Sequence, residues 1–244
     1  MKSKINDTQS WEGKNLQVKI LFSVAGIAQH IWISNTNGSI LIDTGDGILR
    51  DLLSKKIEID RIKGIFFTHG HFDHMGGIHS LLGFFRMIGR KELLSIIAPK
   101  NCIEVYSIMN NFKECYSDSI PFKIDFIEVD PNEKINIAGM MIKAYPVVHC
   151  GSIEGSKILK PIPAMGYRIS FKGEIIAVSG DTGLCPSLKE LVEGADLAII
   201  EATIKKHEDV SQDFLSKVHL SEDLAIEIGK LAKEYILVHT VKKI

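Results

Sequence analysis

Cysteine is scarce. The 244 residues hold four, Cys102, Cys115, Cys150 and Cys185, with no C-x-x-C spacing among them. That scatter suits a reducing compartment better than a disulfide framework, so a cytoplasmic location is expected. Long apolar runs are missing too. None approaches the roughly 20 residues of a membrane span. Residues 1–14 are polar and lack the apolar centre of a secretory signal. Neither sign of charge dominates, since 29 Lys and Arg stand against 30 Asp and Glu. The chain therefore has no general basic field for nucleic acid, although a local basic patch fits within that balance. Linkers, low-complexity tracts and short-period repeats are absent as well. A single domain over 1–244 is the expectation, and that length allows a sizeable core.

Against these absences stands one dense stretch, Thr68-His69-Gly70-His71-Phe72-Asp73-His74. It follows directly on the apolar run 64–67. Imidazole and carboxylate are ligands for borderline cations such as zinc. His69 and His71, at i and i+2, can point one way, while Asp73 and His74 can point toward a second ion. Three more residues of ligand type each follow an apolar, strand-like run: His149 after 140–148, Asp181 after 175–178 and His239 after 235–238. Loop residues at strand ends can be aimed at one point by a rigid scaffold. Asp181 suits a bridging position, because a carboxylate can offer one oxygen to each of two ions.

With these residues the chain resembles the metallo-β-lactamase-fold hydrolase superfamily, from about Leu16 to His239. Leu41-Ile42-Asp43-Thr44-Gly45 resembles that superfamily's first motif. The resemblance implies an α/β fold, an αβ/βα four-layer sandwich of two packed mixed sheets with helices on the outer faces. It implies two divalent metal ions, zinc first, with manganese or iron as alternatives. By the same resemblance His69, His71 and His149 hold one ion, Asp73, His74 and His239 hold the other, and Asp181 bridges. A homodimer is expected by analogy with related folds.

The coarse pattern agrees. Strands are expected over 17–24, 30–34, 39–42, 64–67, 94–98, 122–129, 134–137, 140–147, 165–171, 174–178 and 195–200. Asn35-Thr36-Asn37-Gly38 and Lys172-Gly173 read as hairpin turns. Helices are expected over 47–54, 76–90, 100–115 and 221–233, the last capped by Ser221. The apolar set within 81–88 reads as core, part of it available to line a cleft. His74 reads as the opening of a helix whose N-terminus favours an anion. His30, His79 and His207 lack ligand-type company and read as structural or surface residues. Cys150 reads as a half-buried structural thiol rather than a metal neighbour.

Two dications lower the pKa of a shared water, and the resulting hydroxide is the expected nucleophile. Asp73 is a metal ligand with a second, catalytic duty available, orienting water or passing a proton. His71 occupies the position where an acidic residue would suit the redox chemistry of the flavo-diiron relatives, so hydrolysis is expected. Glu201-Ala202-Thr203, then His219-Leu220-Ser221, then His239 resemble the ribonuclease Z branch. That resemblance makes His219 a catalytic residue that contacts phosphate or protonates the leaving oxygen, with Glu201 holding its ring. Three departures from that branch stand out. Residues 23–30 replace its small-residue loop, only 151–163 separate His149 from the next strand, and the sequence ends five residues after His239. There is no room for the arm that grips a tRNA elbow. A small-molecule, cyclic or short nucleic-acid phosphodiester is the expected substrate, with 151–160, which holds Glu154, Lys157 and Lys160, as a small lid. The alternatives are a glyoxalase-II-like thioesterase or lactonase, and a non-enzymatic metal-binding module.

Overall fold

Alternation along single strands builds the layers. In the strand Gly38–Ile42, Ile40 and Ile42 enter one core while Leu41 enters another. In Leu197–Glu201, Leu197 and Ile199 enter that same first core, and Ala198 and Ile200 enter a third. Strands apolar on both faces must be covered on both. The computed structural model describes residues 9–153, 157–205, 208 and 210–241. It shows two major mixed sheets sharing the first core, with helices covering their outer faces.

The first sheet holds β1 (Ser10–Glu12), β2 (Gln17–Val24), β3 (Ala28–Asn35), β4 (Gly38–Ile42), β5 (Ile62–Phe66), β6 (Leu94–Pro99) and β7 (Ile124–Val129), in that spatial order. It is antiparallel from β1 to β4 and parallel from β4 to β7. β8 (Lys134–Ile137) and β9 (Met140–Pro146) begin the second sheet. A separate ribbon of β10 (His149–Ile153) and β11 (Lys157–Ile162) follows. Then come β12 (Met165–Phe171), β13 (Glu174–Val178), β14 (Leu197–Glu201) and β15 (Glu234–Val238). The second sheet runs β15-β14-β13-β12-β9-β8, antiparallel from β8 to β13 and parallel beyond. Helices α1 (Ile48–Ser54), α2 (Phe72–Met75), α3 (Ile78–Met87) and α4 (Ile103–Tyr116) cover the first sheet. α5 (Pro186–Val192) and α7 (Glu222–Gly229) cover the second, and α6 (Gln212–Lys217) packs with the ribbon.

Several expectations need correction. His74 does not open a helix: α2 starts at Phe72 with His71 as its N-cap, and His74 sits in its last turn. The helix expected over 76–90 is shorter, since Gly76 and Gly77 separate α2 from α3. Residues 151–153 and 157–162 belong to a two-stranded ribbon rather than a plain loop, and α5 and α6 were unforeseen. Within 81–88, Leu81, Leu82 and Phe85 are buried, but none of the set lines the metal-site cleft. Cys150 is fully buried against Ile204, Phe214 and Val218. His207 and part of the suggested lid, including Glu154, lie outside the described residues. Other readings hold. Lys172 and Gly173 both have positive φ, as a tight hairpin turn requires. The Ser221 hydroxyl accepts from Leu224 N at 3.3 Å and caps α7. No described helix is long and apolar enough to cross a membrane.

The strand ends that carry ligand-type residues meet at one edge, where the backbone is tight. Gly180, at φ 61°, lies so close to the first sheet that a Cβ there would meet Thr68 Cβ at 2.7 Å. Nearby, the buried Tyr167 of β12 donates its hydroxyl to Phe67 O at 2.7 Å, tying the second sheet to the end of β5. Tyr167→Phe leaves that carbonyl without its donor. The expected cost is about 1–3 kcal/mol in a urea unfolding curve with unchanged slope. An unchanged midpoint would show that the sheets do not need this tie.

Candidate metal centre

Proton counting fixes the orientation of four imidazoles. His149 Nδ1 lies 2.8 Å from Val218 O, a pure acceptor, so Nδ1 carries the hydrogen and Nε2 is a bare lone pair. His74 Nδ1 lies 2.7 Å from Asp43 Oδ2, with the same result. Thr68 gives its single hydroxyl proton to Asp43 (2.9 Å), so it accepts from His69 Nδ1 at 3.0 Å. Thr203 repeats the arrangement: it donates to Glu201 Oε2 at 2.9 Å and accepts from His239 Nδ1 at 2.9 Å. All four Nε2 atoms are thereby free to act as donors to a metal.

Those lone pairs converge. His71 Nδ1 and His149 Nε2 are 3.1 Å apart, and His69 completes a group whose donor atoms lie within 4.8 Å of one another. His74 Nε2 and His239 Nε2 are 3.3 Å apart, and Asp73 Oδ2 is 3.1 Å from His239 Nε2. Asp181 lies between the groups, with Oδ1 3.3 Å from His74 Nε2 and Oδ2 3.4 Å from His239 Nε2 and 3.9 Å from His69 Nε2. His69 Nε2 and Asp181 Oδ1 are buried without a hydrogen-bond partner. Orphaned acceptors at this density are costly unless a cation satisfies them. The nitrogen-rich set with carboxylates fits borderline dications. All the ligand-type residues singled out in the sequence are therefore brought together.

Burial pushes the His69 and His71 imidazoles down, and His149 to about 3, keeping them neutral as ligands should be. Burial would also lower His74, but Asp181 and Asp43 beside it raise it well above its usual value. Without a cation that ring therefore holds a second proton on Nε2, which a bound cation would replace. Burial would raise Asp73 and Asp181. The His239 hydrogen bond and the His74 charge hold Asp73 at about 2, and His239 and His74 hold Asp181 well below the carboxylate range.

His219 joins this cluster from the loop before α7. Its Nδ1 is 2.9 Å from Glu201 Oε1 and 4.0 Å from Asp181 Oδ2. Burial would lower its pKa, but the Glu201 charge and hydrogen bond raise it to about 9. Glu201 is fully buried and also accepts from Thr182 N, Leu220 N and Thr203 N. The centre opens into a cleft of about 410 Å³ lined by His71, Asp73, His149, Asp181, His219 and His239, with Ile204, Phe214 and Val241 as apolar walls. Elsewhere His30 pairs with Asp51 at 2.9 Å, and His79 packs on Phe112, as structural residues do. Sequence reasoning missed the supporting roles of Asp43, Thr68, Thr203 and the Val218 carbonyl. Asp43 carried a usable signal, a carboxylate at the end of an apolar run, but a backbone carbonyl carries none.

Residues 39–240 match the beta-lactamase superfamily domain. The chain belongs to this superfamily. It is a metal-dependent hydrolase, and its metallo-β-lactamase fold implies divalent metal ions. A ribonuclease Z from Ignicoccus hospitalis is 28% identical over 236 residues, 82% of this chain and 77% of that protein. The short form of human tRNase Z shares the fold at TM-score 0.73 and 21% identity, covering 92% of this chain and 93% of that one. A diphosphatase of the PhnP family does so at TM-score 0.66 and 20% identity, covering 93% and 87%.

The Thr203 hydroxyl orients the His239 ring, whose Nε2 lies in a group that could hold a metal ion, so its loss should be read by the metal. Thr203→Val is expected to weaken retention of one ion by about 10–100-fold against a chelator, with Thr203→Ser restoring it. Metal content by elemental analysis during chelator titration gives the answer. Equal retention by Val and Ser variants would remove Thr203 from the site's support.

Proposed function

We propose that the chain is a binuclear phosphodiesterase of small, cyclic or short nucleic-acid phosphodiesters. One ion would sit among His69, His71 and His149 and a second among Asp73, His74 and His239, shared through Asp181. Zinc suits the donors best, with manganese or iron as alternatives. The whole chain serves as one cytoplasmic hydrolase domain, and a homodimer is its proposed form. When bound, the ions supply Lewis acidity and an activated water.

The observation that carries the reading is His219. Breaking a phosphodiester leaves an alkoxide, which needs a proton. His219 faces the cleft, its Nδ1–H is committed to the buried Glu201, and that carboxylate favours the charged imidazolium. Its Nε2–H is therefore the proton available to a leaving oxygen. Asp73 is held by Gly26 N at 2.9 Å and by His239, and in this reading it serves mainly as a ligand that fixes the β2–β3 turn at the cleft mouth. The ribonuclease Z relatives support a phosphodiester substrate. Among the described residues only the β10–β11 ribbon stands between His149 and Met165, which supports substrates smaller than a folded tRNA. A thioesterase is the rival chemistry that needs no acid, because a thiolate departs unprotonated. A lactonase, whose leaving alkoxide would use the same acid, is separated by which substrates are turned over.

His219→Ala is expected to keep fold and metals and to lose alkyl phosphodiester turnover by about 10²–10⁴-fold. A nitrophenyl phosphodiester, whose leaving group needs little protonation, should lose far less. Equal rates of wild type and variant on both substrates would return His219 to a structural role. Fast thioester or lactone turnover without phosphodiesterase activity would favour the rival chemistry. Elemental analysis should find about two ions per chain. Asp181→Ala should shed both more readily than His239→Ala, because only Asp181 would be shared by the two proposed ions. A single ion that added zinc or manganese cannot raise to two would end the binuclear assignment.

A further inference from the structure

A second groove, about 670 Å³, lies away from the metal donors, at the opposite ends of β2, β3 and β4. Its floor is the outer face of the first sheet. Gln17, Ser34 and Ser39 are cross-strand neighbours in one row, and Lys19 and Trp32 lie in the next. Leu41 extends that second row into the helix-covered core. This end of the same face is polar, yet it stays enclosed: Ser34 is 5% and Ser39 1% exposed. Ser39 Oγ and Trp32 Nε1 have no hydrogen-bond partner. Lys19 Nζ stands 5.2 Å from the Trp32 ring centroid. Lys14 and Lys56 line the groove from either side. The acids nearby are already engaged, Glu12 by Gln17 at 2.9 Å and Glu58 by Arg61 at 3.5 Å. Glu174 is engaged as well, its carboxylate accepting from the backbone of Lys14, Asn15 and Leu16. Among the described residues no ion pair joins a carboxylate to the ammonium of Lys14, Lys19 or Lys56. The lining thus sets Lys14, Lys19, Lys56 and Arg61 against Glu12 and Glu58, a groove of net positive charge with an indole in its floor.

We propose that this groove is a second binding site, for a nucleotide unit of a single-stranded nucleic acid that continues to the metal centre. An indole face accepts a base, the groove's lysines accept phosphates, and hydroxyls and amides accept sugar and base edges. An acidic peptide would answer the lysines but leave the indole and the polar row unused. The four residues from Ser39 to Asp43 correspond to about 13 Å of β-strand. Because α1 covers the face between, a bound strand reaches the metal centre only by passing around that helix. The inference rests on the phosphodiesterase reading only for what the strand does at the far end.

Two measurements separate the groove from that reading. The chain has two tryptophans, so in a Trp11→Phe background Trp32 alone reports binding. Titration with an oligouridylate of about a dozen residues should quench it saturably, with a log affinity–log salt slope near −2 for about three phosphates. The combined Lys14→Glu, Lys19→Glu and Lys56→Glu variant should lower kcat/KM for that oligonucleotide on the order of 10–100-fold. Trp32→Leu should act in the same direction. Dinucleotide turnover should be unchanged in both variants, which also shows that they fold. Unaltered oligonucleotide kinetics in both variants, or equal quenching by polyglutamate, would overturn the proposal. Uridine monophosphate binding as tightly as the oligonucleotide would replace the strand by a free nucleotide. Oligonucleotide quenching without any nucleotide turnover by the wild type would keep the groove and end the phosphodiesterase reading.

Discussion

Lone pairs repel, and this structure packs them against one another in a buried volume. His71 and His149 bring ring nitrogens to 3.1 Å, and His74 and His239 to 3.3 Å, with Asp181 between the groups. Such an arrangement persists only if the scaffold holds each ring from behind and a positive charge satisfies it from the front. The parallel strand ends, the left-handed backbone at Asp43 and His239, and the Tyr167 tie between sheets all serve the first condition. Residues held in that backbone region cluster at functional sites because the surrounding structure overrides their strain.

The backing is built twice. In the first sheet Asp43 receives Thr68, and Thr68 receives His69; in the second Glu201 receives Thr203, and Thr203 receives His239. Each carboxylate also holds a further histidine directly, His74 on Asp43 and His219 on Glu201. The parallel halves of the sheets thus present equivalent carboxylate–threonine–histidine chains, and the sheets face each other so that the chains meet. The difference lies in the second histidine. His74 stands within 3.3 Å of Asp181, whereas His219 is the more accessible ring and faces the cleft.

Most of this frame was legible in the sequence. The His-x-His-x-Asp-His spacing, with His149, Asp181 and His239 each after an apolar run, names the residues that converge. Period-2 alternation places nearly every strand of both sheets. What escaped did so for physical reasons. The β10–β11 ribbon alternates weakly and carries Lys157, Lys160 and Pro161, so its pattern is that of a loop. α5 and α6 are too short for a helical period to emerge. Asp43 and Thr203 act through atoms that face inward, and their neighbours in sequence say nothing of what they hold.

Neither of the two proposed ion sites, His69 with His71 and His149 and Asp73 with His74 and His239, draws its residues from one half of the chain. The first half supplies His69, His71, Asp73 and His74; the second supplies His149, Asp181 and His239. His239 comes last and follows β15, which pairs only with β14 at the sheet's edge. During vectorial synthesis the group containing His239 therefore cannot close until that strand has docked. In the finished molecule the same group opens first when an edge strand frays. Capture of a cation at that corner would thus report that β15 has docked on β14.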